Sequence, residues 1–254
     1  MRREQLHIST IAEDAVALAR EHGLGLELAE FCTAMNMDVY FSDYDPLVRR
    51  ALAESRAKHL VFHGPFSELC PAAVDPGVRE HSRRRYLQAA ALAQVYGIRR
   101  LVFHTGYIPM VYYREWFVPK SVEFWKSILE ELPADVELLL ENVMEDGPEM
   151  LAEIAAGVAD PRLGICLDVG HAQTLVSNLE IRAWISGCAP WLRHVHLHNN
   201  RRQQDLHSPL GEGDIPMDQV LEQLEQLGLP LTYTIENQRA AASVTWLLDH
   251  GFLT

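Results

Sequence analysis

Eight short apolar runs recur along the chain, separated by longer amphipathic segments. Each run is rich in Val, Leu, Ile and Phe and has no alternating polar face, which is typical of strands covered on both sides in a parallel sheet. The pattern predicts eight strands, over Leu6–Ser9, Gly25–Phe31, His59–His63, Arg100–His104, Val136–Glu141, Leu163–Asp168, Arg193–His198 and Leu231–Glu236.

The segments between these runs have apolar residues at helical spacing. Several of them end at a glycine, such as Gly23, Gly97 or Gly228, which can close the last turn of a helix. The pattern predicts eight helices, over Glu13–Glu21, Pro46–Arg56, Gly77–Tyr96, Ser121–Leu132, Gly147–Ala156, Leu179–Cys188, Met217–Leu227 and Arg239–His250.

The order of these elements predicts the fold class. Eight βα units in 254 residues are typical of an α/β protein with a single (β/α)8 barrel, and residues 1–254 are expected to form one domain. An open doubly wound sheet has the same alternation, but no GxGxxG motif follows the first strand. The even spacing of the units favours a closed barrel, and no linker or low-complexity segment divides them.

Composition and charge narrow the functional class. The chain has 22 Lys and Arg against 35 Asp and Glu, a formal net charge of −13, which argues against a general binder of nucleic acid or acidic membranes but leaves room for a local basic groove. Its four cysteines form no CxxC pair, and the N-terminus lacks the apolar region of a signal peptide. No apolar stretch reaches the roughly 18 residues of a membrane span. We therefore expect a cytoplasmic protein with reduced thiols.

Side chains with ligand chemistry gather where the predicted strands end. A lone His or Glu at a strand end is most often structural, but here six consecutive strands supply His, Asp or Glu to one rim. Carboxylates crowded there would repel one another, and a divalent cation such as Zn²⁺ or Mn²⁺ would offset the repulsion. The predicted metal ligands are His63, His104, Glu141, Asp168, His171, His196, Asp205, His207 and Glu236, with Asp205 and His207 in the loop after the seventh strand.

The seventh strand carries three histidines on one face. His194, His196 and His198 alternate along the strand, so they point in the same direction. His194 is the deepest and is expected to be a core residue or to support a ligand. His198 is the highest, and it is expected either to support a ligand or to face the substrate.

The motifs at the strand ends resemble the xylose isomerase-like TIM barrels, also described as AP endonuclease family 2. That superfamily contains sugar and sugar-phosphate isomerases and epimerases and the endonuclease IV group of apurinic-site nucleases. The resemblance covers about residues 6–250 and rests on the order and spacing of seven segments: FHGPF at 62–66, FHTG at 103–106, ENV at 141–143, LDVGHA at 167–172, HLHNN at 196–200, DLHSPLGEGDI at 205–215 and IEN at 235–237.

The resemblance implies one to three divalent ions, held differently in the two branches. In the endonuclease IV-like pattern, three zinc ions are held by His63, His104 and Glu141; by Glu141, Asp168, His196 and Glu236; and by His171, Asp205 and His207. In the epimerase-like pattern, a single ion is held by Glu141, Asp168, His196 and Glu236. There Glu141 and Glu236 move the proton, and His171 binds the substrate.

The chain departs from both patterns. The loops after the second and third strands look short for a DNA-clamping nuclease, and basic residues near the rim are few. Arg202 matches a substrate-binding arginine of ketose epimerases, but position 147, where that branch has a substrate glutamate, is Gly147. The aromatic stretch 107–117 follows the fourth strand and starts at Tyr107, and it is expected either to cover a small ligand or to pack onto the barrel.

Three functions follow as hypotheses. The favoured one is a metal-dependent isomerase or epimerase of a small sugar, polyol or sugar phosphate, with Glu141 and Glu236 as catalytic residues and with Tyr107, His171, His198 and Arg202 as substrate-binding residues. The alternative is a metal-dependent phosphodiesterase acting at abasic DNA sites. The third is a metal-stabilised binding protein. The sequence leaves the metal, the substrate and the oligomeric state open.

Overall fold

A computed structural model describes residues 1–174, 176–201 and 203–254. The described residues form a single (β/α)8 barrel of eight parallel strands, closed in the order β1-β10-β7-β6-β5-β4-β3-β2, and a separate antiparallel ribbon of β8 and β9. The strands are β1 (Leu6–Ser9), β2 (Gly25–Leu28), β3 (Leu60–His63), β4 (Arg100–His104), β5 (Glu137–Glu141), β6 (Leu163–Asp168), β7 (Leu192–Leu197), β8 (Asn199–Arg201), β9 (Gln204–Ser208) and β10 (Thr232–Ile235).

Helices follow the barrel strands and form the outer layer. Gly23, Gly97 and Gly228 have φ angles of 68°, 75° and 63°, so each has the left-handed conformation predicted for a helix-ending glycine. The helices are α1 (Ala15–His22), α2 (Phe41–Ser55), α3 (Pro76–Val95), α4 (Arg114–Glu131), α5 (Glu149–Val158), α6 (Ile181–Cys188), α7 (Met217–Gln226) and α8 (Ala241–Asp249). None of the helices in the described part of the chain has the length and apolar character needed to span a bilayer.

Two helices begin more than a turn earlier than the sequence pattern predicts. Helix α2 begins at Phe41 and contains Pro46, although a proline is most often found in the first turn. Helix α4 begins at Arg114, so the last part of the aromatic stretch 107–117 is helical. In both cases aromatic side chains in the added turns, such as Phe41 and Phe117, pack against the core and extend the helix.

The barrel interior is apolar on one side and polar on the other. Val61, Val102, Leu139 and Cys166 form a small apolar cluster, separate from the main core, inside β3 to β6. On the opposite side, the inward-facing positions of β2, β7 and β10 hold polar side chains that are fully buried. These are Glu27, His194, His196 and Thr234.

The predicted loop after the seventh barrel strand is instead a β-ribbon, so the expectation for Asp205 and His207 was wrong in its secondary structure. Both residues lie on β9, which pairs in antiparallel fashion with β8. The side chain of Asn200 holds the ribbon in position, because its Nδ2 donates to the Gly170 carbonyl at 2.9 Å and its Oδ1 accepts from the Leu206 N–H at 2.7 Å. The ribbon therefore folds back over the rim of the barrel.

Candidate metal centre

The nine predicted ligands converge at the carboxyl ends of the strands. Strand register explains much of this, because neighbouring strands pair His104 with Glu141 and Asp168 with His196. The ligand atoms within each of three groups lie within 4.8 Å of one another. The groups are His63, His104 and Glu141; Glu141, Asp168, His196 and Glu236; and His171, His198, Asp205 and His207.

The central group consists of three carboxylates around one imidazole. His196 Nδ1 lies 3.2 Å from Glu141 Oε1, 3.5 Å from Glu236 Oε1 and 3.8 Å from Asp168 Oδ2. All four residues are buried, and the most exposed, Glu236, has a relative exposure of 6%. Three carboxylates held together away from water are unfavourable without a compensating positive charge. This donor set and its spacing fit a divalent cation such as Zn²⁺ or Mn²⁺.

The first flanking group shares Glu141 with the centre. The Nε2 atoms of His63 and His104 lie 3.2 and 3.4 Å from the same oxygen, Glu141 Oε2. The ring of Phe66 stacks on His104 with centroids 4.2 Å apart and meets His63 edge-on. This aromatic cover shields two of the donors from solvent.

The second flanking group joins β9 to the barrel. Asp205 bridges two histidines, since its Oδ2 lies 3.4 Å from His171 Nε2 and its Oδ1 lies 3.5 Å from His207 Nε2. His198 stacks on His207 with ring centroids 3.8 Å apart, and its Nε2 lies 2.9 Å from Asp168 Oδ1. Asp205 has a side-chain exposure of 40%, so this group is the most open of the three.

Backbone carbonyls fix the orientation of three of these imidazoles. The Nδ1 atoms of His63, His171 and His207 donate to the carbonyls of Gly64, Asn142 and Glu236 at 3.0, 3.0 and 2.9 Å. A carbonyl can only accept, so in the neutral rings Nδ1 carries the proton and Nε2 keeps its lone pair. Each Nε2 faces a carboxylate of its group. In metal-binding histidines the second ring nitrogen typically donates to a carbonyl in this way.

The predicted substrate-binding residues differ in what surrounds them. Tyr107 packs edge-on against Phe117 at 5.1 Å, which fits a loop packed onto the barrel. His198 is fully buried against Asp168. His171 belongs to the second flanking group. Arg202 lies outside the described residues. The substrate-binding roles of these four residues stay predictions.

Sequence reasoning missed two polar residues beside the site. Glu27 lies at the centre of β2, and its Oε1 is 3.1 Å from His196 Nε2. Asn142 exchanges two hydrogen bonds with the backbone of Asp168, at 2.9 and 2.8 Å, and so extends the pairing of β5 with β6 past the last strand residue. The available signals were a lone glutamate in the apolar run GLEL and an amide directly after Glu141.

The family of the chain follows from comparison with known proteins. The family described as a xylose isomerase-like TIM barrel matches residues 16–250. The chain belongs to this family. The resemblance expected from the strand-end motifs is thereby confirmed.

Two curated relatives match over part of their length. The protein MJ1311 of Methanocaldococcus jannaschii, which is uncharacterised, is 31% identical over 196 residues, covering 73% of this chain and 66% of the relative. A probable endonuclease 4 of Mesomycoplasma hyopneumoniae is 30% identical over 142 residues, covering 49% of this chain and 50% of the relative. The matches thus span between half and two thirds of the curated relatives.

Two solved structures match over almost the whole chain. A D-tagatose 3-epimerase-like protein superposes with a TM-score of 0.77 at 25% identity, covering 98% of this chain and 97% of the other. A Thermus thermophilus protein, TTHB071, soaked with ZnCl2, gives a TM-score of 0.74 at 25% identity and covers 98% of each chain.

In this xylose isomerase-like barrel, the pKa values of Glu141 and Glu236 are shifted in opposite directions. Burial opposes a charge on Glu141, yet the imidazoles of His196 and His104 hold its pKa well below the usual range. Burial raises the pKa of Glu236, and the neighbouring His196 only partly offsets this. In the metal-free protein Glu141 is therefore ionised, whereas Glu236 holds a proton more readily. Pairs of carboxyl groups with separated pKa values are typical of acid–base sites.

Zinc binding is expected to release protons and to weaken in acid. Burial opposes a charge on His171, yet the carboxylates of Asp168, Asp205 and Glu141 hold its pKa well above the usual range, so at neutral pH the metal-free ring carries a proton that a metal must displace. The affinity should fall by roughly tenfold per pH unit for each displaced proton between pH 8 and 6. Calorimetric titration in buffers of different ionisation enthalpy measures both the zinc affinity and the number of protons released. An affinity that is constant over this range would contradict the expectation.

Gly170→Ala is expected to destabilise the protein by disturbing His198. A Cβ on Gly170 would overlap the imidazole of His198, which is buried and hydrogen-bonded to Asp168. Overpacking of this kind costs about 1–3 kcal/mol, measured as the free energy of unfolding in urea. Gly77→Ala is the control, because its Cβ would meet only the Asp75 side chain at 3.0 Å. If the two variants had equal free energies of unfolding, the His198 ring would be free to move away from the added methyl group, and the expectation would be wrong.

Proposed function

We propose that the protein is a divalent-metal-dependent isomerase or epimerase of a small sugar, polyol or sugar phosphate. The observation that carries the proposal is the buried central group of Glu141, Asp168, His196 and Glu236 at the mouth of the barrel. The likeness of nearly the whole chain to a D-tagatose 3-epimerase-like protein supports it.

The cation would be held by Glu141, Asp168, His196 and Glu236, whose donor atoms point toward one another. When bound, a divalent cation polarises a substrate carbonyl and acidifies the adjacent C–H group. The residues around it then have to exclude water, orient the substrate and transfer a proton. Burial of the whole group provides the exclusion of water.

Glu141 and Glu236 are the proposed proton carriers. They end β5 and follow β10, which lie on either side of β6 and β7 in the barrel, so they approach the same substrate from two directions. One carboxylate removes a proton from carbon, and the other returns a proton to a different face or to the neighbouring carbon. Without a cation the pKa of Glu141 is lowered and that of Glu236 is raised, so the two groups differ in how readily they hold a proton.

A cavity beside the second flanking group is the proposed entrance for the substrate. It has a volume of about 610 Å³ and is lined by Asp205, Leu206 and His207 of β9 together with Ile11, Glu13 and Gln238. This volume is within the usual range for small-molecule sites. His171 and Arg202 are proposed to orient hydroxyl or phosphate oxygens, and Tyr107 and His198 are proposed to contact the sugar.

Proton exchange in heavy water tests the proposal. Metal-loaded protein is incubated in D2O with a panel of ketoses, aldoses and their phosphates, and loss of C–H signals is followed by ¹H NMR. The expected result is exchange at one carbon of at least one sugar, and its loss after metal removal. A panel without exchange, from protein with full metal content, would contradict the proposal.

The second candidate function is a phosphodiesterase acting at abasic DNA sites. A specific observation favours it: all nine side chains of the endonuclease IV-like pattern converge in three groups. The partial match to a probable endonuclease 4 adds support. A duplex with one abasic site, incubated with the same metal-loaded protein, distinguishes the functions. Metal-dependent strand cleavage, without exchange of C–H protons on any sugar, would favour the nuclease.

A further inference from the structure

Glu27 is a fully buried carboxylate inside the barrel that the proposed chemistry does not use. It lies on β2 and pairs in the sheet with Val61 of β3, which belongs to the apolar cluster of the interior. A buried ionised side chain is strongly unfavourable unless it is paired and hydrogen-bonded. An apolar residue would fill this position at a lower energetic cost, so the carboxylate needs another explanation.

The contacts of Glu27 point to His196. Glu27 Oε1 lies 3.1 Å from His196 Nε2, within ion-pair distance, and neither atom makes a hydrogen bond among the described residues. The other carboxylate oxygen accepts from the hydroxyl of Thr234 at 2.5 Å and lies 3.3 Å from His194 Nε2. One oxygen is therefore anchored, and the other lies against Nε2 of His196. Glu27 also belongs to a group of donors within 4.8 Å of one another that includes His63, His196 and Glu236.

His196 is oriented oppositely to three of the other ligand-type histidines. His63, His171 and His207 have Nδ1 fixed by a backbone carbonyl and present Nε2 to the site. In His196, Nδ1 faces the central carboxylates at 3.2 to 3.8 Å and Nε2 faces Glu27. The Glu27 carboxylate occupies the place that a backbone carbonyl occupies for the other three.

We propose that Glu27 is a positioning residue that keeps the proton of His196 on Nε2, so that Nδ1 presents its lone pair to a cation held by the central group. This inference rests on the proposed metal-dependent function. A carboxylate behind a metal-binding imidazole sets the ring orientation and makes the ring a stronger ligand. The juxtaposition requires β2, which supplies none of the nine predicted ligands.

A chain of hydrogen bonds below Glu27 supports this role. His194 Nδ1 lies 2.6 Å from Thr232 Oγ1, which accepts from Arg100 Nη1 at 2.5 Å. Arg100 is in turn paired with Glu137 at 2.7 Å. This series of hydrogen bonds runs from the amino-terminal end of the strands to the central group. Because it restrains His194, it also restrains the Glu27 carboxylate that His194 contacts.

Zinc affinity and the site of the imidazole proton test the inference. Competition with a chromophoric chelator gives the zinc affinity of the wild type, Glu27→Gln and Glu27→Leu. Both variants are expected to bind the zinc of the central group about 10- to 100-fold more weakly. Glu145→Gln is the control, because Glu145 is also buried but contacts Thr105 and the loop backbone instead, and its affinity should stay within about twofold of the wild type.

Long-range ¹H–¹⁵N correlation spectra of zinc-loaded wild type supply a second readout that does not depend on the variants folding. The inference predicts that His196 carries a proton on Nε2 and binds zinc through Nδ1. Zinc on Nε2, or unchanged zinc affinity in both Glu27 variants, would overturn it while leaving the proposed function standing. A wild type that binds no zinc would overturn the proposed function and the inference together.

Discussion

Glu236→Gln is expected to lower the rate of sugar proton exchange by about 10²- to 10⁴-fold, the usual contribution of a positioned acid or base. The amide has the size of the carboxyl group but can neither take up nor deliver the proton. Glu141→Gln should have an effect of the same order, because the two side chains act on the same substrate. Exchange rates come from ¹H NMR in D2O, and metal content is measured on the same samples.

Glu145→Gln is the matched control for both variants. Glu145 is buried like the two glutamates but lies outside the three ligand groups. Its exchange rate should stay within about threefold of the wild type. A Glu236 or Glu141 variant with full metal content and a near-normal exchange rate would remove that residue as a proton carrier.

Saturating zinc is expected to raise the melting temperature by roughly 10 °C. Zinc at about a thousand times its dissociation constant stabilises the native state by about 4 kcal/mol per site, and each kcal/mol raises the melting temperature of a protein of this size by about 2–4 °C. Asp168→Asn should abolish most of the increase, because it removes a carboxylate from the central group. Differential scanning calorimetry with zinc and with a chelator measures both effects.

A control variant distinguishes zinc binding at the central group from zinc binding by surface histidines. His59→Ala is the control, since His59 is exposed and lies at the amino-terminal end of β3, away from the ligand groups. This variant should keep the full zinc-induced increase in melting temperature. An Asp168→Asn variant with an undiminished increase would show that zinc binds elsewhere.

Much of the barrel could be predicted from the sequence because most strands are short, buried runs rich in Val, Leu, Ile and Phe. The bounds of β1, β4 and β6 match the prediction, since each apolar run stops at a polar side chain. Helix starts were harder to predict. The first turns of α4 contain Trp116 and Phe117, and packing of Phe117 against the core makes an aromatic stretch helical where composition alone indicates a loop.

The convergence of the ligand-type residues follows from the same regularity. Parallel strands end on one side of a barrel, so a residue such as Glu141 or Asp168 at a strand end must face the rim. The ribbon that carries Asp205 and His207 could not be predicted from an apolar run, because β9 is polar and largely exposed. It forms a strand by pairing with β8.

Glu27 could not be assigned a role from the sequence for a different reason. Its partners His194 and Thr234 are 167 and 207 residues away along the chain. Only closure of the barrel, through β1, brings β2 to the side of the interior that faces β7 and β10. A charged residue within a short apolar run is otherwise indistinguishable from an imperfection in the strand.

The central claim is that a divalent cation binds among Glu141, Asp168, His196 and Glu236. Anomalous diffraction from a crystal of the zinc-loaded protein, collected on both sides of the zinc absorption edge, tests it most directly. We predict an anomalous peak about 2 Å from a carboxylate oxygen of each acidic residue and from His196 Nδ1. Zinc peaks confined to other sites, with the central group lacking a peak at full zinc loading, would contradict the account.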